Sequence, residues 1–68
     1  MKHYAIEIAH KKIVDKVNHT ILYTYNVYRV FLGFIYIPVW VEENTNPALA
    51  YDACENWIRV NHGLKVTK

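Results

Sequence analysis

From Thr20 the chain alternates with a period of two. Ile21, Tyr23, Tyr25, Val27, Arg29 and Phe31 fall on one side, and Leu22, Thr24, Asn26, Tyr28 and Val30 on the other. Tyr, Thr and Val suit a pleated, half-buried surface, so the pattern predicts a strand. Leu32-Gly33 follows as a tight turn, because glycine adopts positive φ without a Cβ clash. Phe34 to Val41 then returns as the partner strand. Pro38 has no N–H for a ladder, which puts this strand at a sheet edge or turns the proline nitrogen outward. The strand is expected to stop at Glu42-Glu43-Asn44-Thr45-Asn46-Pro47, a cluster of turn and helix-start residues.

Residues 47–61 read as a helix. Asn46 is a good N-cap, Pro47 suits the first helical position, and Gly63 fits a left-handed residue after the end. Leu49, Ala53, Trp57 and Val60 form an apolar stripe flanked by Ala50, Cys54 and Asn61, while Asp52, Glu55, Asn56 and Arg59 face outward. Leu64 to Lys68 reads as a last strand with Leu64 and Val66 inward. At the other end, Ile6, Ala9, Ile13 and Val17 recur at helical spacing, with Lys11, Lys12, Asp15 and Lys16 largely on the opposite side. That predicts a helix over 4–17, although Tyr4 to Ala9 also alternates as a strand does. The expected fold is α+β: an antiparallel sheet of about three strands, one helix packed on a face, and an N-terminal helix or extra strand.

With 68 residues there is room for a single domain, residues 1–68, near the lower limit for a self-supporting core. One cysteine excludes an internal disulfide, and no zinc spacing is present. Six Tyr, two Trp and two Phe are more aromatic surface than so small a core can hide, which favours a contact surface or self-association. The net charge of +2 is mildly basic, short of a dedicated nucleic-acid binder and of the wrong sign for a DNA mimic. A free Cys and no visible targeting segment fit a reducing cytoplasm. The apolar run 30–41 is too short to span a bilayer, and Arg29 beside it would cost about 2.5 kcal/mol or more at the bilayer centre.

Candidate chemistry is sparse. His3, His10, His19 and His62 are scattered, and no pair has the spacing of a helical metal site. Cys54 lies beside the helix stripe and reads as a packing residue rather than a nucleophile. Glu42 and Glu43 are adjacent on a strand end and point to opposite sides, which suits edge protection better than acid–base work. Gly33 and Gly63 are the only glycines, so there is no phosphate loop. Asn18-His19-Thr20 matches a glycosylation acceptor, by chance in a chain without a secretory signal. Nothing here calls for a cofactor or an enzymatic reaction.

The segment from Ile37 onward resembles the small inhibitor of bacterial RNA polymerase made by short-tailed coliphages. The resemblance rests on Ile37-Pro38-Val39-Trp40, the acidic Glu42-Glu43, a helix with Ala48, Leu49 and Trp57, and Val60 to Lys68. Trp57, Val60, Gly63, Val66, Thr67 and Lys68 stand at the family's spacing. About half of the chain is covered, with a small insertion before the helix and residues 1–22 outside the match. The resemblance implies a helix-on-sheet fold and inhibition of a host protein. Lys68 falls on a basic position of the family, but Arg29 stands where that family is acidic.

The functional expectation is a non-enzymatic, phage-type protein in the host cytoplasm that binds a bacterial protein, with RNA polymerase the candidate, and occludes its surface. Tyr28, Arg29, Trp40, Lys65 and Lys68 are the expected partner-binding residues, since aromatics and Arg dominate interface energies. The alternative is a nucleic-acid-binding regulator using Lys11, Lys12 and Lys16 with Tyr23, Tyr25 and Tyr28 as stacking aromatics. A third expectation is a homodimer paired through its aromatic sheet face.

Overall fold

The computed structural model describes residues 1–66. Four strands and one helix follow in the order β1 (Lys2–Asp15), β2 (Thr20–Phe31), β3 (Ile35–Asn44), α1 (Pro47–Val60) and β4 (Gly63–Lys65). The strands form one sheet of order β3-β2-β1-β4, with α1 packed on one face. The α+β class and the helix-on-sheet arrangement are as expected.

Of the two expectations for the N-terminal segment, a helix over 4–17 or an extra strand, the strand is the one found, the long β1. Its pattern mimics a helix because a bulge at Ala9 breaks the alternation. Ile8 opposes Tyr25 and His10 opposes Thr24, so Ala9 has no partner across the ladder. Tyr4, Ile6 and Ile8 therefore share a face with Lys11 and Ile13, out of phase by one residue. The same device acts in β3: Val27 opposes Trp40 and Tyr28 opposes Pro38, leaving Val39 as the extra residue. Pro38 sits on an edge strand, where its missing N–H is tolerated. That strand does not stop at Val41. It runs on through Glu42, Glu43 and Asn44, paired to Tyr25, Thr24 and Tyr23.

The sheet is mixed rather than antiparallel, because β4 lies parallel to β1. A strand–helix–strand connection returns the chain in its starting direction. β4 thus runs as β3 does, and as β1 does. The Val66 N–H donates to the Tyr4 carbonyl at 2.8 Å, which carries the pairing one residue past β4.

α1 starts where Asn46 accepts from the Ala48 and Leu49 N–H groups, with Pro47 at its first position. Its end departs from expectation. His62, not Gly63, takes the left-handed conformation (φ 56°), and its N–H donates to the Arg59 carbonyl. Gly63 is needed for another reason: a Cβ there would overlap the Tyr4 ring.

The buried helix face is also rotated. Ala50, Cys54 and Ile58 face the sheet, Trp57 is half-buried, and Leu49 and Val60 are exposed. Small residues at 50 and 54 let the helix lie close over Val27, while rings fill the flanks. Tyr4 meets Trp57 edge-on at 5.4 Å, and Trp40 stacks on Trp57 at 5.6 Å. Leu64, expected inward, is exposed. No described helix is long and apolar enough to cross a membrane.

Candidate functional site

The molecule is elongated, 45 × 22 × 17 Å, and the two hairpin turns lie at opposite ends of β2. Between them the helix covers a middle zone around Val27. Each end is left with its own exposed chemistry.

The β2–β3 end is apolar. Leu32 and Gly33 both have positive φ (55° and 80°), and the Phe34 N–H closes the turn on the Phe31 carbonyl at 3.2 Å. Leu32 is 83% exposed and Phe34 71%. The register sets Ile37 opposite Arg29 and Ile35 opposite Phe31, so these four share the face that carries the helix. All but Arg29 are exposed. The Arg29 guanidinium lies 4.6 Å over the Phe31 ring and 5.8 Å from the Tyr4 ring. Its Nε is buried and, among the described residues, has no hydrogen-bond partner.

The expected partner-binding residues do not form one patch. Arg29 shares the face of Phe31, Ile35 and Ile37 at the apolar end. Trp40 is on the same face but stacked on Trp57, with its Nε1–H donated to Glu42 Oε1 at 2.7 Å. Tyr28 is on the opposite face, edge-on to Tyr36, where its hydroxyl accepts from Asn26 Nδ2. Lys65 is engaged within the chain: its ammonium pairs with Glu55 and donates to the Tyr51 hydroxyl. Glu55, then Tyr51, hold the Lys65 pKa above its ordinary value. Lys68 and Thr67 lie outside the described residues. Phe31, Leu32, Phe34, Ile35 and Ile37 were absent from the expected site. A signal for them was present, since a Leu-Gly turn flanked by two Phe has none of the polar residues usual at a hairpin tip.

The β1–β2 end is basic. Beyond the pair Lys11–Tyr23 the sheet narrows to two strands, closed by the turn 16–19. Because β1 is a strand, Lys11, Lys12 and Lys16 are not one helical face. Lys11 opposes Tyr23 on the helix side, 6.0 Å from its ring, Lys12 opposes Leu22 on the other side, and Lys16 is in the turn. The tyrosines are split too: Tyr25 lies edge-on to Tyr51 of the helix and Tyr28 is on the far face. Tyr23 and Tyr25 share the helix side with Lys11, whereas Tyr28 and Lys12 lie opposite. Asp15 accepts from Val17 N and from the Asn18 backbone and side-chain N–H groups, at 3.0, 3.3 and 2.8 Å. The Asn18 side chain, chiefly, holds the Asp15 carboxyl below its usual pKa.

Cys54 is fully buried, and burial together with the Glu42 charge pushes its thiol up to about 11. That is the opposite of an activated nucleophile. Among the described residues, no three His, Cys, Asp or Glu side chains gather as a metal site would require. Comparison with protein-family models, curated proteins and solved structures finds no match.

Proposed function

We propose that this chain is a non-enzymatic, phage-type protein that binds a bacterial host protein and inhibits it by covering a working surface. RNA polymerase is the candidate target, on the resemblance of the segment from Ile37 onward. The observation that carries the reading is the apolar β2–β3 end, in which exposed Phe31, Ile35 and Ile37 share the face of Arg29, and Leu32 and Phe34 stand exposed at the turn.

Two physical arguments support it. Arg and aromatic side chains are the types that carry most binding energy at protein interfaces. The second argument is strain. A left-handed backbone costs a non-glycine residue about 1–2 kcal/mol, and Leu32 adopts it while burying almost nothing within the fold. A contact outside the chain explains why leucine stands there.

The test is a titration of purified bacterial RNA polymerase with the full chain, read by analytical ultracentrifugation and by promoter-directed transcription. A stoichiometric complex with reduced transcript is expected, and Phe34→Ser should weaken both while leaving the circular dichroism spectrum unchanged. No complex at about 10 µM, a weak affinity for a dedicated inhibitor, would defeat the reading.

A further inference from the structure

The second end of the molecule has a use that the apolar end does not explain. The whole of the net charge of +2 falls on the arm 8–24, which carries Lys11, Lys12 and Lys16 against Asp15. In the rest of the chain, five cations balance five anions. Asp15 is spent on the turn, where its oxygens accept the N–H groups of Val17 and Asn18. The arm also lacks neighbours. β4 stops opposite Tyr4 and β3 stops opposite Tyr23, so the hairpin tip stands alone for on the order of 15 Å. Two-stranded ribbons are marginal in water by themselves, and this one exposes Ile13, Val14 and Val17.

The placement of the lysines identifies what the arm fits. Lys11 lies on one face, Lys12 on the other and Lys16 at the tip, with His10 sharing the Lys12 face and His19 in the turn. A flat acidic surface would meet only one of these faces. A groove walled on both sides by phosphates would meet them all. The major groove of B-form DNA, about 12 Å wide, admits a two-stranded β-ribbon. In A-form RNA that groove is deep and narrow. From the bilateral charge and the free-standing ribbon, we propose that the β1–β2 arm enters the major groove of a DNA duplex. There Lys11, Lys12 and Lys16 neutralise phosphates of both walls, and Val17 at the tip makes apolar contact with the base edges.

The experiment is fluorescence anisotropy of the full chain with a labelled mixed-sequence 20-base-pair DNA duplex, set against a single strand and an RNA duplex of the same sequence. Three neutralised phosphates give a log–log salt slope of about −2.7, or roughly 40-fold weaker binding between 50 and 200 mM salt. The DNA duplex should bind tightest. Replacing Lys11, Lys12 and Lys16 by Gln should flatten the salt slope, and Arg59→Gln on the helix should leave it unchanged. Retained circular dichroism would exclude unfolding of the triple variant, and K16Q alone, at the tip, should lower the slope by about one. Absence of binding at about 50 mM salt, tighter binding of the single strand, or a triple variant that binds as before would overturn the proposal. So would a triple variant that self-associates by light scattering while still binding DNA, because the lysines would then only guard the open edge of β1. The readout is independent of RNA polymerase, so this proposal and the one for the apolar end can fail separately.

Discussion

Gly63 and Cys54 show how little room the chain leaves at single positions. Gly63 sits where β4 crosses the Tyr4 ring, and any Cβ would overlap that ring. Tyr4 is itself buried against Val27, Cys54 and Ile58, so the ring cannot yield without opening the core. Gly63→Ala is therefore expected to destabilise the fold by about 1–3 kcal/mol, the usual range for overpacking, measurable by denaturant unfolding. Leu32 is the converse case, a residue whose removal relieves the fold. Cys54 supplies a pH prediction. Its folded pKa of about 11 lies above the ordinary 9.0, so the stability gained by keeping the thiol neutral is complete below pH 9. It is lost as pH rises toward 11. At about pH 8 the native thiol should resist a disulfide reagent and react only when the chain is unfolded. Rapid labelling of the native protein would contradict its burial.

At the scale of elements, what could be read from the sequence depended on whether periodicity was interrupted. β2 alternates without a break, and the faces read from it are those the register shows. The start of α1 was equally legible, because Asn46 and Pro47 act locally. Asn46 accepts from two N–H groups, and Asn46→Ala should cost about 1 kcal/mol of stability by the same denaturant assay. β1 was legible only in part: Tyr4 to Ala9 alternates as a strand, but the bulge at Ala9 then shifts the phase by one, and the resulting spacing of Ile6, Ala9 and Ile13 imitates a helix. The buried face of α1 was misread because hydrophobicity favours Leu49 and Val60. Close packing over Val27 instead selects the small Ala50 and Cys54. The parallel direction of β4 was missed, although the order strand, helix, strand carries it. Of the candidate site, Arg29 was legible as an Arg in an otherwise apolar stretch. Its neighbours were not, since exposed and buried apolar residues look alike in a sequence.

For the molecule as a whole, the long β2 strand separates two unlike ends. One is an apolar hairpin around Arg29, the other a basic ribbon, and the helix covers the middle. This division explains how so small a chain can carry many exposed apolar residues and still close a core around Tyr4, Val27, Cys54 and Ile58. It also assigns opposite behaviour to one substitution. Asn tolerates the left-handed conformation better than Leu does, so Leu32→Asn relieves strain while removing an apolar contact. The decisive measurement is a thermal melt and an RNA polymerase titration on the same preparation of Leu32→Asn beside the wild type. The melting temperature should rise by several degrees, as about 1 kcal/mol does in a domain of this size, while affinity for the polymerase falls about tenfold or more. An unchanged or lower melting temperature together with undiminished binding would contradict the assignment of the apolar hairpin as the docking surface.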